Sequence, residues 1–312
     1  MTEEHTCSLE FFPPKTANGR EKLINDTLSS LSPINHSYCS VTYGAGGSTR
    51  DNTLGTVTAL QGCGERVAPH LSFGADNEET VLSLLSHYQA LGINRLVALR
   101  GDLPATMTSA QKLVYANELV SFIRKHTGNH FTLTVAAYPE IHPQAVSYQH
   151  DVMYLKQKLD AGADAAVTQF FFNVEAYFYF LDRCGAAGIT QPIHPGIMPI
   201  VNFNNLVRFA DACGAEIPRW IRQRIAGFDG CEESIRQFGI DVITQLCATL
   251  QESGAPSIHF YTMNQAEPVL SIARNLGMAP AACVNSTNNH SEALGAETSA
   301  PESPVHATST DS

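Results

Sequence analysis

The strongest constraint on the fold is a regular alternation of short apolar segments with amphipathic helical segments. Eight segments have the composition of β-strands: 6–12, 38–44, 67–73, 95–101, 132–139, 165–171, 193–200 and 257–263. The first six begin 28 to 37 residues apart, which is the spacing of repeated βα units. Segments such as 77–92 and 146–162 carry apolar residues at helical spacing between the strands. The longer interval before the eighth strand contains further helical patterns around 203–213, 218–226 and 232–253.

Eight βα units in about 275 residues predict an α/β protein with a single (β/α)8 barrel, the TIM barrel, and extra helices before strand 8. The alternative is an open doubly wound sheet, which commonly binds a nucleotide through a Gly-rich first turn. The first turn here reads FPPKTANG, which favours the barrel. We assign residues 1–281 to the barrel. Residues 282–312 are rich in Ser, Thr, Ala, Asn and Glu and predict a low-complexity, disordered tail.

Composition narrows the class of protein further. The net charge is −11 and the 19 Lys and Arg residues form no basic stripe, which argues against a nucleic-acid partner. No apolar stretch reaches the roughly 18 residues that a membrane span needs. The eight cysteines are scattered and contain no CxxC pair, which is typical of reduced thiols in the cytoplasm. These features predict a cytoplasmic enzyme that acts on a small molecule.

Polar residues lie toward the carboxyl ends of seven of the eight predicted strands. Strand 1 is one of the seven, and its polar residue is Glu10. The carboxyl ends of barrel strands converge on one face, so these side chains predict an active site there. Strand alternation places Ser8, Glu10 and Phe12 on one face and Leu9 and Phe11 on the other. We expect Glu10 to point into the barrel mouth, where apolar neighbours would raise its pKa.

Missing motifs exclude several chemistries. The sequence has no HExxH, no histidine pair near strand 1, no lysine at a strand end and none of the GxSxG, P-loop or GxGxxG motifs. No metal site is therefore predicted. Two alternatives stay open on residue types alone. One is a cofactor-free lyase that uses Glu10 and Asp102 as an acid/base pair, and the other is a binding protein that displays the tripeptide Arg100-Gly101-Asp102.

Seven motifs together resemble one enzyme family. SLEFFPPK, SVTYGAGG, APHLSF, ALRGDLP, AAYPEIHPQA, TQFFF and HFYTMN occur in this order between about residues 5 and 280, and are similar to the bacterial flavin-dependent methylenetetrahydrofolate reductases. The resemblance implies a (β/α)8 barrel with non-covalent FAD that reduces 5,10-methylenetetrahydrofolate to 5-methyltetrahydrofolate. It also implies ping-pong hydride transfer through flavin N5 from NADH or NADPH, with NADH favoured. Supply of methyl groups for methionine synthesis and a homodimer or homotetramer are implied as well.

The resemblance also assigns roles to residues. Glu10 would be the general acid at folate N10, and Asp102 an ionised carboxylate near the flavin and pterin that favours the iminium cation. Gln169 would contact nicotinamide and folate in turn, and Phe209 would pack on the substrate. The implied FAD contacts are Thr42, Tyr43, Ala45, His70, Arg100, Gly101, Asp102, Ala116, Tyr138, His142, Ala145, Asp151 and Lys158.

The sequence departs from the family pattern at three positions. Gln265 replaces an arginine that can meet substrate, which puts the contact there in doubt. Tyr154 and Gln157 replace an asparagine and an arginine on the helix that contacts FAD, which predicts weaker FAD binding. The chain also lacks a resemblance to the regulatory domain of the longer family members.

Overall fold

The computed structural model describes residues 6–43, 47–73, 77–100 and 115–280. Within them the strands follow one another as one parallel sheet. They are β1 (Cys7–Phe11), β2 (His36–Val41), β3 (Val67–Leu71), β4 (Arg95–Ala98), β5 (Thr132–Ala137), β6 (Ala165–Thr168), β7 (Ile193–His194), β8 (Gly196–Ile197) and β9 (Ile258–Tyr261).

The sheet closes into a barrel. Its order is β7-β6-β5-β4-β3-β2-β1-β9-β8, and every pairing is parallel. The two ends of this order, β7 and β8, are separated in the chain only by Pro195, so they are two pieces of one barrel strand. Proline has no N–H to donate, and its carbonyl accepts a hydrogen bond from His259 N at 2.9 Å. The predicted (β/α)8 barrel is therefore confirmed, with its seventh strand interrupted at Pro195.

Helices cover the barrel between the strands. They are α1 (Ala17–Lys22), continued by a π-helical segment (Leu23–Leu28) and α2 (Ser29–Leu31), α3 (Gly47–Gly62), α4 (Glu78–Ala90), α5 (Ala116–Thr127), α6 (Tyr148–Asp160), α7 (Val174–Ala186), α8 (Phe203–Cys213), α9 (Arg219–Ala226), α10 (Glu232–Glu252) and α11 (Ala266–Asn275). The extra helices predicted before the last strand are α8, α9 and α10. None of the described helices combines the length and apolar character that a membrane crossing requires.

The predicted strands are longer than the observed ones at their carboxyl ends. Thr42 and Tyr43 follow β2 outside the ladder, and Gln169 to Phe171 follow β6 in the same way. Thr42 N and Gln169 N still donate to the neighbouring strands, to Phe11 O at 3.0 Å and Ala137 O at 2.8 Å, but the regular pairing ends there and the rim begins. The tail predicted for 282–312 and its boundary after 281 lie outside the described residues.

Strand residues that face away from the site pack in the hydrophobic core, as alternation predicts. Leu9 and Phe11 are fully buried among hydrophobic residues of the core. Gly196 allows the barrel interior to close, because a Cβ there would lie 2.0 Å from Thr168 O and 2.7 Å from the Tyr261 ring. The Tyr261 hydroxyl donates to the same Thr168 carbonyl at 2.6 Å. The seven cysteines within the described residues are all free, as predicted.

Candidate active site

Glu10 lies where three strands bring polar side chains together inside the barrel. Register places Glu10 beside Ser40 on β2 and beside Tyr261 on β9. Ser40 Oγ donates to Glu10 Oε2 at 3.2 Å, and His259 Nε2 lies 3.1 Å from the same oxygen. His70 on β3 supplies a third contact, with Nε2 3.0 Å from Oε2. Glu10 therefore points into the barrel, as alternation predicts.

The contact between His70 and Glu10 is electrostatic rather than a well-formed hydrogen bond. The His70 ring is buried and its Nε2 lacks a hydrogen bond of acceptable geometry among the described residues, in spite of the 3.0 Å separation. A buried donor left in this state costs about 1 to 3 kcal/mol. A small movement or a bound ligand would satisfy it.

A hydrogen-bonded chain leads from Glu10 toward the opposite end of the barrel. His259 Nδ1 lies 2.7 Å from Ser8 Oγ, and the Ser8 hydroxyl in turn contacts the Tyr38 phenol. If Ser8 donates to Nδ1, the imidazole is neutral and its Nε2–H points at Glu10. The chain is buried, since Ser8 and His259 are each 1% exposed. It can therefore move a proton to or from the carboxylate without bulk water.

The expectation that an apolar pocket raises the pKa of Glu10 is wrong. Burial raises the pKa of this carboxyl group, but the nearby His70 and His259 lower it more, so that the net pKa lies well below the usual range. The neighbours on the sequence, Leu9 and Phe11, face the core, whereas the neighbours across the strands are polar. Glu10 is therefore ionised in the resting cluster.

A second cluster, which we call the cationic cluster, lies at the carboxyl ends of β4 and β5 and on α6. It consists of Arg100, His142, Asp151 and Lys158. Asp151 Oδ2 accepts from His142 N at 2.8 Å, which ties the rim after β5 to the first turn of α6. Burial lowers the pKa of His142, Asp151 raises it, and the positive charges of Arg100 and Lys158 lower it again.

Lys158 is the most perturbed member of the cationic cluster. Burial lowers the pKa of its ammonium group to about 8, and the charge of Asp151 offsets only part of that effect. Its Nζ donates to the Ala136 carbonyl. Burial also raises the pKa of Asp151, against the lowering effects of the His142 amide and Lys158. The cluster contains one carboxylate, two basic side chains and a histidine, so it carries an excess of positive charge near neutral pH.

The other predicted site residues stand on the same end of the barrel. Thr42 and Tyr43 follow β2, Tyr138 follows β5 and packs edge-on against His142 with ring centroids 4.5 Å apart, and Gln169 follows β6. Ala145 N donates to His142 O at 2.8 Å, and Ala116 begins α5. Phe209 is partly buried on α8, under the guanidinium of Arg208. Ala45, Gly101 and Asp102 lie outside the described residues, so their roles stay predictions.

The three residues that depart from the family pattern, Gln265, Tyr154 and Gln157, are all exposed. Gln265 caps the start of α11 without a side-chain capping bond, and Tyr154 and Gln157 point outward from α6. The helix face with Asp151 and Lys158 is intact.

We call Glu10 and its contacts Ser40, His70 and His259 the Glu10 cluster. Two of these residues, Ser40 and His259, were not predicted from the sequence as site residues. Ser40 and His259 lie within strands as apolar as those around them, and neither ends a strand. The sequence signal that could have indicated these two residues is strand alternation, because His259 and Tyr261 share a face and Ser40 is opposite Glu10 in register.

An ionisable cluster and a cationic cluster at the carboxyl ends of a (β/α)8 barrel define the class of the protein: it is a barrel enzyme.

Comparisons with known proteins identify the family. The profile of the methylenetetrahydrofolate reductase family matches residues 1–277. The chain is 41% identical over 276 residues to the 5,10-methylenetetrahydrofolate reductase of Escherichia coli (strain K12), covering 88% of this chain and 91% of the relative. Identity to the 5,10-methylenetetrahydrofolate reductase of Pectobacterium carotovorum subsp. carotovorum is also 41%, covering 88% and 90%. The chain therefore belongs to the methylenetetrahydrofolate reductase family and is an oxidoreductase.

A solved structure supports the fold alone. A protein of Clostridium thermocellum, described as uncharacterised and as binding two copies of 5-methyl-5,6,7,8-tetrahydrofolic acid, superposes with a TM-score of 0.65 at 18% identity. The match covers 88% of this chain and 94% of that one.

Proposed function

We propose that the chain uses non-covalent FAD to reduce 5,10-methylenetetrahydrofolate to 5-methyltetrahydrofolate, with NADH as the preferred electron donor. Bound FAD would supply the chemistry of hydride transfer between the nicotinamide and the methylene carbon of the folate. The observation that carries the proposal is the placement of the Glu10 cluster and the cationic cluster on one end of the same barrel.

The charge of the cationic cluster fits the diphosphate of FAD. Lys158 is held in a partly buried position that disfavours its ammonium form, and an anion beside it would stabilise the charged form. Arg100 and His142 add donors on neighbouring strand ends, where a diphosphate would find both charge and N–H groups. Tyr138, Thr42 and Tyr43 line the same rim and are the proposed contacts for the remainder of the cofactor.

Glu10 would deliver a proton to N10 of the folate, although its resting state is ionised. The three contacts of Ser40, His70 and His259 all fall on Oε2, so none of them uses Oε1. These contacts would hold the carboxyl group in one orientation, so a proton bound at Oε1 would be the one that Glu10 gives to folate N10. The apolar surface of a bound substrate would exclude water from this pocket. Electrostatic interactions there would become stronger, and the proton affinity of the carboxylate would rise.

Two further residues complete the proposed site. Gln169 would contact the nicotinamide and the folate in turn, and Phe209 would pack on the substrate. Asp102 would keep its negative charge near the developing iminium cation. Because nicotinamide and folate would share one site, the steady-state pattern should be ping-pong.

The preference for NADH rests on two supports. The sequence shows no arginine pair for a 2′-phosphate, and an Arabidopsis thaliana relative named methylenetetrahydrofolate reductase (NADH) 1 is 37% identical, with 87% of this chain matching 48% of that relative. A cytoplasmic homodimer or homotetramer that supplies methyl groups for methionine synthesis completes the proposal.

Flavin spectroscopy on the purified full chain tests the proposal. We expect a yellow preparation whose flavin absorbance is bleached by NADH without oxygen and restored by 5,10-methylenetetrahydrofolate. A colourless protein that takes up no added FAD would refute the flavin mechanism and favour the cofactor-free lyase. Bleaching by NADH without recovery on folate addition would refute the substrate while leaving the flavoprotein intact.

A further inference from the structure

A cluster of three unlike side chains lies at the other end of the barrel from the active site. His36 begins β2, Cys39 lies within β2, and Glu65 lies in the turn between α3 and β3. The potential donor atoms of all three are within 4.8 Å of one another. We propose that this cluster binds a zinc-type divalent cation, a site independent of the reductase function.

The donor set has the chemistry of a zinc site. Imidazole nitrogen, thiolate sulfur and carboxylate oxygen are the three ligand types that zinc prefers, at about 2.0, 2.3 and 2.1 Å from the metal. Tetrahedral coordination at those lengths separates the donor atoms by roughly 3.2 to 3.7 Å. Glu65 Oε2 is 2.8 Å from His36 Nε2 and 3.7 Å from Cys39 Sγ. The third separation, between His36 Nε2 and Cys39 Sγ, is within 4.8 Å and would shorten by at most about 1.3 Å to admit the ion, with its fourth position open to water.

The histidine is oriented as a metal ligand. His36 Nδ1 lies 3.0 Å from the carbonyl oxygen of Ile34, to which it donates, so Nε2 faces the other two donor atoms. Metal-binding histidines usually donate their second ring nitrogen to a carbonyl or carboxylate in this way, which fixes the tautomer and the ring plane. Most of the His36 ring is buried, with 10% of the side chain exposed.

The charges of the site balance when the ion is bound. A neutral imidazole, one thiolate and one carboxylate offset the two positive charges of the cation, so a buried complex carries no net charge. Binding would form three metal–ligand bonds and release the Cys39 thiol proton and the proton shared by His36 and Glu65, with no change of oxidation state. The Cys7 thiol is the other titratable group that acts on Cys39.

Access to the cluster comes from the Glu65 side. The Glu65 side chain is 22% exposed, whereas Cys39 is fully buried. The bound ion would link the start of β2 to the residues that lead into β3. Its role would therefore be structural, because Glu10 and the cationic cluster lie at the carboxyl ends of the strands.

Cobalt spectroscopy on the reduced, chelator-treated full chain tests the site. Tetrahedral cobalt with a thiolate ligand absorbs in the red, beyond the flavin bands, and added zinc should remove that absorption. We expect one cobalt per chain in the wild type and loss of the red absorption in Cys39→Ser. Cys63→Ser, which removes an exposed thiol two residues before Glu65, is the matched control and should leave the spectrum unchanged.

Cys39 is buried, so a second variant is used to distinguish loss of the metal site from misfolding of Cys39→Ser. Glu65→Gln changes a partly exposed residue, keeps the thiol, and should weaken cobalt binding at least tenfold while circular dichroism stays the same. Absence of red absorption in the wild type, its persistence in Cys39→Ser, or its loss in Cys63→Ser would overturn the proposal. In those cases the three side chains form only a hydrogen-bonded clamp.

Discussion

Replacing Gly196 by alanine should destabilise the barrel at its interrupted strand. The added Cβ would stand 2.0 Å from Thr168 O and 2.7 Å from the Tyr261 ring. The carbonyl belongs to the β6 backbone, so it cannot rotate away as a flexible side chain would. Tyr261 must shift, and its hydrogen bond to the Thr168 carbonyl must break or lengthen.

The expected loss follows from these contacts. Overpacking a well-packed interior costs about 1 to 3 kcal/mol, and the lost hydrogen bond adds about 1 kcal/mol. The lower entropy of an unfolded alanine returns about 0.5 to 1 kcal/mol. We expect a net decrease of about 1 to 3.5 kcal/mol in the free energy of unfolding.

Urea denaturation followed by circular dichroism measures this change, and the chain offers a control with the same substitution and the opposite sign. Gly185 is an exposed residue near the end of α7, and a Cβ there would meet nothing within 4 Å. Gly185→Ala should therefore stabilise by about 0.5 to 1 kcal/mol. Equal unfolding free energies for the two variants would refute the close approach that Gly196 allows.

Three further predictions concern the site. Glu10→Gln should retain FAD and NADH oxidation but slow the folate half-reaction by about 10² to 10⁴-fold in stopped-flow absorbance, and a near-wild-type rate would remove Glu10 as the acid. Because the folded pKa of Glu10 lies below 4.5, its contribution to stability is present above pH 4.5 and is lost as pH falls below it. The urea midpoint of wild type should therefore fall more steeply in acid than that of Glu10→Gln, and parallel curves would contradict the lowered pKa. Lys158→Met should weaken FAD binding about 10 to 100-fold by fluorescence titration. Wild-type affinity should also fall by up to about tenfold per unit above pH 8. Lys156→Met, which removes a partly exposed lysine paired with Asp160, should change neither, and an equal loss there would refute the role of Lys158.

Strand spacing and alternation were sufficient to predict the barrel and the inward direction of Glu10. Both are local properties of the sequence, because the period of two fixes the face of each residue once the strand is recognised. The interruption at Pro195 was not predicted, since a short apolar run with one proline is compatible with either a continuous or a divided strand.

The charge state of Glu10 required information that is not local. Its pKa depends on His70 and His259, and 249 residues separate His259 from Glu10 in the chain. Only the register of β1 against β9 brings them together. The sequence neighbours, by contrast, suggested an apolar setting because Leu9 and Phe11 are the residues that point away from the site. The residues of the cationic cluster were named from the family resemblance, and the spacing of Asp151 and Lys158 on one face of α6 is consistent with that assignment.

The pairing of β1 with β9 has a consequence for synthesis of the protein. While the ribosome is still making the middle of the chain, β1 has β2 on one side and an open edge on the other, and Glu10 has no His259. The carboxylate acquires its partner only when the last strand emerges and docks. Barrel closure and assembly of the proton-transfer network are thus one event, so a nascent or truncated chain without β9 would be inactive rather than partly active.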